Sequence, residues 1–302
     1  MPACSLGPDL VIAGAARSGT SSLAAQLGAH PAVDPGKVKE SNYFSRNLER
    51  GPGWYEGLYD ERRMGLLRMD ASTSYTSALH PEALKRLAAA APDAFGIYVV
   101  RQPTERALSH YLYRHYYLQI DHAPDFGTAL RTTSYYVDGS DYSRWLSDLR
   151  STFADGKLLV VPFEVVTTEP EEATAEICRQ LGLAVVPVAQ HVGRQHRNDV
   201  VEYRNLTARR VASRLRRSPA YSGLRAALGS SRMRKARGLL TRQALLPSTD
   251  EAMASCDSTQ LELLRQLDSH AGAAVREHLV AQDSRLGLTW AGRSFSTPDH
   301  DR

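Results

Sequence analysis

Short apolar runs that alternate with helical patterns constrain the fold of this chain more than any other feature. Three runs have the length and composition of buried strands: residues 9–13, Phe95–Val100 and residues 158–161. Helical spacing resumes after each run, and Pro103 stands at a favourable first helical position after the second. The alternation predicts an α/β fold with a central, mainly parallel sheet flanked by helices.

The composition narrows the class of protein. Of the 302 residues, 42% are hydrophobic and 23% are charged, which excludes a wholly disordered or fibrous chain. We expect no transmembrane helix, because no run approaches 18 apolar residues, and no secretory signal, because residues 1–5 lack a basic and then apolar pattern. Three widely separated cysteines, Cys4, Cys178 and Cys256, favour reduced thiols in a cytoplasmic protein over disulfides or a zinc site.

The loop after the first run is a candidate anion site. Gly14 and Gly19 lie five residues apart between a strand and a helix, where backbone N–H groups and the positive end of the helix attract an anion. The loop departs from the ATP-binding GxxxxGK[ST] pattern, because Thr20 replaces the lysine and the positive charge lies earlier, at Arg17. We therefore expect anion binding and disfavour an ATP-dependent kinase; an ordinary glycine-containing turn is the simpler alternative.

A second candidate anion site follows the second run. Ligands gather at the carboxyl ends of parallel strands, so Arg101 is expected on the same rim as the first loop. A guanidinium binds a phosphate through two parallel hydrogen bonds, and the hydroxyl of Ser109 on the next helix can add a third. Taken alone, Arg101 could be a salt-bridged rim residue. Together, the two sites predict a ligand with two separated anionic groups.

These two segments resemble the cofactor motifs of sulfotransferases that use 3′-phosphoadenosine 5′-phosphosulfate (PAPS). Residues 17–22 (RSGTSS) are similar to the first motif, and residues 101–111 (RQPTERALSHY) are similar to the second, with Arg101 and Ser109 eight positions apart. Further matching runs are residues 39–44 (KESNYF), 70–75 (DASTSY) and 157–164 (KLLVVPFE). The resemblance spans about residues 8–185, and a weaker similarity extends to the final helix and Trp290.

The resemblance implies a P-loop-like sulfotransferase fold and transfer of a sulfuryl group from PAPS to a hydroxyl or amine, with adenosine 3′,5′-bisphosphate as the product and no metal. The residues that correspond to the family's cofactor site are Arg17, Ser18, Gly19, Thr20, Ser21, Ser22, Arg101 and Ser109. Most members carry lysine where this chain has Arg17, and the tyrosylprotein branch carries arginine. Because arginine keeps its proton at neutral pH, its catalytic role would be electrostatic.

Glu40 corresponds to the general base of glycosaminoglycan-type members, in which a Lys-Glu pair precedes two aromatic residues. We expect Glu40 to accept the acceptor's proton. By the same match, the candidate acceptor-binding residues are Lys39, Tyr43, Ser72 and Tyr75. The alternatives for Glu40 are a surface ion pair with Lys39 and a histidine base elsewhere in the chain. The histidines weighed for that role are His30, His80, His110 and His115.

The acceptor is not encoded in these motifs. Glycosaminoglycan enzymes carry a lysine where this chain has Ala71, which argues against a heparan-like substrate. A hydroxyl-bearing natural product, sugar, lipid or peptide is compatible with the sequence, and the oligomeric state is open. A nucleotide-dependent kinase with a divergent loop is the rival enzyme class.

A basic segment follows the matched region. Between Glu202 and Asp250 the chain has twelve lysines and arginines and no acidic residue. We expect most of these cations to form a solvated helical face, with one or two of residues 232–237 touching the cofactor. The alternatives are an acceptor site for an acidic or lipid-linked substrate and nucleic-acid binding through residues 204–242. Nucleic-acid binding is disfavoured, because no recognised motif accompanies the charge.

The expected organisation is a single domain over residues 1–302. Its core comprises residues 8–188, and a helical basic segment occupies residues 196–250. A C-terminal helix returns to the core within residues 251–290, and a frayed tail covers residues 291–302.

Overall fold

The computed structural model describes residues 7–60, 65–187, 201–203, 241–243 and 246–282, together with Ser284 and Leu286. Seven strands are described: β1 Leu10–Gly14, β2 Val33–Asp34, β3 Leu67–Asp70, β4 Phe95–Val100, β5 Leu158–Pro162, β6 Val201–Tyr203 and β7 Thr241–Gln243. The described helices are α1 Thr20–Gly28, α2 Pro52–Glu56, α3 Ala83–Ala90, α4 Pro103–Leu112, α5 Phe126–Thr132, α6 Tyr135–Asp138, α7 Tyr142–Thr152, α8 Phe163–Thr168, α9 Pro170–Gln180, α10 Thr249–Ala254 and α11 Ser258–Ala281.

The central sheet has five parallel strands in the order β2-β3-β1-β4-β5. The predicted α/β fold with a parallel sheet flanked by helices is therefore confirmed. Strand β1 lies in the middle and pairs with β3 on one side and β4 on the other. This arrangement brings the segments that follow β1, β3 and β4 to one edge of the sheet.

Both faces of the sheet are buried, as parallel sheets require. Alternating residues of β4 show the division, because Tyr98 and Val100 belong to one apolar cluster while Ile97 and Val99 belong to the other. The first cluster is completed by side chains from α3, α7 and α11, and the second by side chains from α1, α8 and α9. Helices thus cover the sheet on both sides and leave its carboxyl edge for the connecting loops.

Two strands of the central sheet, β2 and β3, were not among the three predicted from apolar runs. Strand β3 lies between β1 and β2 in the sheet, and the two-residue β2 pairs with it. Strand β3 is only four residues long and contains Arg68 and Asp70, so it lacks a continuous apolar run. Its Asp70 is nevertheless buried, because neighbouring hydroxyl groups satisfy the carboxylate.

The helical pattern that was predicted to begin near Pro103 divides into two parts. Helix α4 ends at Leu112, and residues Tyr113–Leu118 form a π-helical turn. Helices α10 and α11 are separated by residues 255–257, and the Asp257 side chain caps α11 by accepting from the backbone N–H of Gln260. Helix α11 packs on α4 and α7 and so joins the core.

Two described stretches of the basic segment are strands and not helices. Strands β6 and β7 pair antiparallel, with Val201 opposite Gln243 and Tyr203 opposite Thr241. The helical expectation is wrong at these six residues, three of which (Val201, Tyr203 and Thr241) are β-branched or aromatic types that favour strands. Residues 204–240, with eleven of the twelve cations, and residues 287–302, with Trp290 and the expected tail, lie outside the described residues.

The close approach of α5 to the α10–α11 junction gives a test of the fold. A Cβ at Gly127 would lie 2.0 Å from the Ser255 carbonyl oxygen, whereas a Cβ at Gly53 would meet nothing within 4 Å. Gly127→Ala should therefore lower the free energy of unfolding by about 1–3 kcal/mol through overpacking against backbone. Gly53→Ala, the matched control in α2, should leave it within about 1 kcal/mol of wild type. Equal urea-unfolding curves for the two variants would contradict this docking.

Candidate active site

The loop between β1 and α1 has the backbone of an anion cradle. Arg17 (φ 72°) and Gly19 (φ 83°) both lie in the left-handed region. Glycine is required at position 19 for a second reason, because a Cβ there would approach the Phe163 ring to 2.9 Å. Gly19 caps α1 without a side chain, and the first backbone N–H groups of a helix lack intrahelical partners. The loop can therefore present backbone donors to a bound anion.

Arg17 connects this loop to helix α4. Its Nε donates to Ser109 Oγ at 3.3 Å, and its guanidinium lies 4.4 Å from the centre of the Tyr113 ring. Burial lowers the pKa of Arg17, but an arginine remains charged at neutral pH. The two motifs predicted from sequence are thus in direct contact, although Arg17 and Ser109 are 92 residues apart in the chain.

Arg101 follows β4 and is held in a defined orientation. Its Nε and Nη2 donate to Glu105 Oε2 at 3.0 and 2.8 Å, and its guanidinium lies 4.8 Å from the centre of the Phe163 ring. The backbone N–H of Arg101 donates to the Tyr142 hydroxyl. The same Phe163 that packs on Gly19 therefore also supports Arg101, so the two candidate anion sites share one wall.

A cleft of about 1310 Å³ opens at this edge of the sheet. It brings together eight of the residues selected from sequence: Arg17, Gly19, Thr20, Ser21, Ser22, Glu40, Arg101 and Ser109. The Ser18 side chain, which belongs to the same loop, is fully buried and is not among the residues that line the cleft. Glu40 is 40% exposed, and its Oε1 is paired with Lys39 Nζ at 2.7 Å.

A buried carboxylate fixes the segment that carries Glu40. Asp70 Oδ2 accepts from the hydroxyls of Ser41 (2.6 Å), Tyr75 (2.6 Å) and Tyr55 (3.1 Å), and Oδ1 accepts from Ser72 (2.6 Å). Burial raises the pKa of Asp70, and the four hydroxyl donors oppose that shift. Because Ser41 is the neighbour of Glu40 in the chain, the Asp70 network determines where Glu40 enters the cleft.

Three of the four predicted acceptor-binding side chains are buried beside the cleft and do not face into it. The Tyr43 ring is buried and stacks on Tyr55 with 4.6 Å between ring centres. Ser72 and Tyr75 are fully buried and bind Asp70. These three side chains support the wall of the cleft and are not among the residues that line it. The neighbouring residues that line the cleft are Thr73, Ser74, Thr76 and Ser77.

Arg106 and His110 also line the cleft and were not selected as ligand-binding residues from sequence. Arg106 is only 1% exposed and donates to the Ala16 carbonyl oxygen of the loop at 3.2 Å. Burial lowers its pKa. The signal available in the sequence was the helical spacing that places residues 106 and 110 on one face of α4.

The described part of the chain lacks two features, a cluster of metal ligands and a membrane-spanning helix. No group of three or more His, Cys, Asp or Glu side chains is arranged there to hold a metal ion. No described helix has both the length and the apolar character needed to cross a membrane.

The fold and the cleft define an α/β domain with a P-loop-like strand–loop–helix unit at the carboxyl edge of a parallel sheet. Residues 67–187 match the family model described as "Sulfotransferase family". Over this central segment the chain is similar to a sulfotransferase family, as the sequence motifs predicted.

Curated relatives match over parts of their length. Heparan sulfate glucosamine 3-O-sulfotransferase 6 of Mus musculus and of Homo sapiens is 36% identical over 104 residues, which are 34% of this chain and 30% of those proteins. The bifunctional heparan sulfate N-deacetylase/N-sulfotransferase 1 of Caenorhabditis briggsae is 24% identical over 207 residues, which are 61% of this chain and 24% of that protein. The matches thus span less than a third of these relatives.

A solved structure supports the fold. A sulfotransferase from Alicyclobacillus acidocaldarius superimposes with a TM-score of 0.52 at 24% sequence identity, covering 72% of this chain and 95% of that one. At this identity the likeness concerns the architecture alone.

The Asp70 network generates a stability prediction. Tyr75→Phe removes a hydroxyl that donates to the buried Asp70 carboxylate, so the free energy of unfolding should fall by about 1.5–3 kcal/mol. Tyr59→Phe is the matched control, because this buried hydroxyl bonds only neutral groups, the Met69 carbonyl at 3.4 Å and the Tyr55 hydroxyl at 3.1 Å. Its cost should be about 1 kcal/mol or less. Urea unfolding of both variants measures the difference; equal losses would show that Asp70 does not depend on Tyr75.

Proposed function

We propose that this protein transfers a sulfuryl group from PAPS to a hydroxyl or amine acceptor. The observation that carries the proposal is the contact between Arg17 and Ser109, which joins two anion-binding motifs in one cleft. A donor with separated 5′-phosphosulfate and 3′-phosphate groups suits that arrangement. The match of residues 67–187 to a sulfotransferase family model supports the same reaction.

The chemistry of the cleft fits this donor. The 5′-phosphosulfate would be held by the loop of residues 17–22 and the N-terminus of α1. The 3′-phosphate would be held by Arg101 and Ser109. The neighbouring Arg106 is buried and has no carboxylate partner within the described ranges, so a bound anion would also compensate its charge.

Catalysis would come from positioning and charge. Glu40 would accept the proton of the acceptor hydroxyl while the new S–O bond forms. Lys39 holds one oxygen of this carboxylate and thereby restricts its orientation. Arg17 would neutralise the negative charge that develops on the leaving phosphate oxygen as the S–O bond to phosphate breaks. Its contribution is electrostatic, because arginine keeps its proton.

The cleft has room for an acceptor beside the donor. Its volume of about 1310 Å³ exceeds the roughly 300–1,000 Å³ of ordinary small-molecule sites. Its lining includes hydroxyl groups at Thr73 and Ser74 and apolar surface at Leu118 and Ile120. A hydroxyl-bearing natural product, sugar, lipid or peptide is compatible with this mixed lining. A kinase is disfavoured, because Thr20 replaces the lysine of the ATP loop.

Recognition of the 3′-phosphate can be tested by comparing two nucleotides. Adenosine 3′,5′-bisphosphate should bind more tightly than AMP, which lacks the 3′-phosphate, and should raise the melting temperature further. Arg101→Ala should weaken bisphosphate binding by about 2–3 kcal/mol and leave AMP binding nearly unchanged. Calorimetric titration of both ligands measures these affinities.

The control for this prediction is Arg131→Ala. Arg131 is about half exposed, pairs with Asp257, and is not among the residues that line the cleft. Its replacement should change neither affinity. Equal binding of bisphosphate and AMP by the wild-type protein would remove the role assigned to Arg101 and Ser109.

A further prediction separates the proposed base, Glu40, from the proposed charge stabiliser, Arg17. Glu40→Gln should lower single-turnover rates by about 10²- to 10⁴-fold, because the amide cannot accept a proton, while bisphosphate affinity stays close to wild type. Arg17→Ala should impair both nucleotide affinity and turnover. A Glu40→Gln enzyme with near-normal turnover would place the base elsewhere.

A further inference from the structure

Arg106 has an unusual environment for a charged side chain. It is 1% exposed, and its Nε and Nη2 donate to Ser140 Oγ at 2.6 Å and to the Tyr136 carbonyl at 2.7 Å. Its Nη1 donates to the Ala16 carbonyl of the loop. All of these acceptors are neutral. Arg106 therefore binds the backbone of the loop at Ala16. In the described part of the chain, no carboxylate compensates its positive charge.

The remaining contact of Arg106 determines the tautomer of His110. Arg106 Nη1 lies 3.1 Å from His110 Nδ1. A guanidinium has donors and no acceptor, so Nδ1 must accept this hydrogen bond through its lone pair. The neutral ring then carries its proton on Nε2. A protonated ring would place an N–H of the histidine against an N–H of the arginine.

The surroundings of His110 also disfavour the protonated ring. Burial, followed by the charges of Arg106, Arg114 and Arg17, holds the pKa of His110 well below its ordinary value. The aromatic side chains beside it are Tyr135 and Tyr136, at 5.1 and 5.7 Å between ring centres. No carboxylate contributes to its environment among the described residues. His110 is thus neutral at pH 7.

His110 reaches the cleft next to the proposed nucleotide site. It follows Ser109 in α4, both residues line the cleft, and Nε2 has no hydrogen-bond partner within the ranges that the structure describes. We propose that His110 is a ligand-binding residue whose Nε2–H donates to an anionic oxygen of the nucleotide, with Arg106 fixing the tautomer. This inference rests on the proposed function. It also excludes His110 as the base, because a ring with its proton on the cleft side cannot take up another one there.

The tautomer is tested on the wild-type protein by NMR of the ¹⁵N-labelled histidine ring. The His110 ring should carry its proton on Nε2, and its nitrogen signals should stay constant between pH 6 and 8. Protonation of Nδ1, or a ring that titrates in this range, would overturn the inference. This measurement requires no substitution at the site.

Two substitutions test the donor role. His110→Asn keeps an acceptor near the position of Nδ1 for Arg106 and loses the donor at Nε2, whereas His110→Gln keeps a donor near the position of Nε2. Affinities for adenosine 3′,5′-bisphosphate and for PAPS are measured without acceptor. His110→Asn should weaken at least one of them by about tenfold, and His110→Gln should restore most of that loss.

The outcomes distinguish this inference from the proposed function. If wild type binds both nucleotides and His110→Asn binds them equally well, the donor role is wrong and the sulfotransferase proposal stands. If wild type binds neither nucleotide, the proposed function itself fails. The melting temperatures of the unliganded variants show whether a loss reflects folding; a loss of affinity with an unchanged melting temperature supports the inference.

Discussion

The parallel pairing of β1 with β4 is the constraint on which the whole site depends. The pairing puts the carboxyl ends of the two strands side by side, so the loop that carries Arg17 and the turn that carries Arg101 emerge together. Helix α4 begins shortly after β4 and brings Ser109 to the Arg17 guanidinium. Two segments about 90 residues apart become one cleft because of the sheet order, and a different order would separate them.

Two buried charges of opposite sign hold this cleft in shape. Asp70 is bound by four hydroxyl groups, and Arg106 is bound by neutral acceptors that include the Ala16 carbonyl of the loop. Such charges are costly to bury unless their hydrogen bonds are satisfied. Each one fixes the backbone of a segment that carries a proposed catalytic residue, Glu40 in one case and Arg17 in the other. Polar groups positioned before the ligand arrives need no reorganisation during the reaction.

The sequence predicted the parts of the site that follow from general rules of parallel sheets. Arg17, Arg101 and Ser109 could be placed on one rim because their segments follow apolar runs. Strand β3 could not be recognised, because Asp70 becomes buried only after hydroxyls from separate segments converge on it. The inward orientation of Tyr75 and the burial of Arg106 likewise arise only when separate segments of the chain come together. Tertiary contacts, and not local spacing, decide which side of a turn or helix faces the cleft.

The most direct test is a crystal structure of the protein with adenosine 3′,5′-bisphosphate bound. We expect the 5′-phosphate at the N-terminus of α1 beside Arg17, and the 3′-phosphate bound by Arg101 and Ser109. Both phosphates would then lie in the cleft that the Arg17–Ser109 contact creates. A nucleotide bound outside this cleft, or one whose 3′-phosphate contacts neither Arg101 nor Ser109, would contradict the proposal that the two motifs form a single donor site.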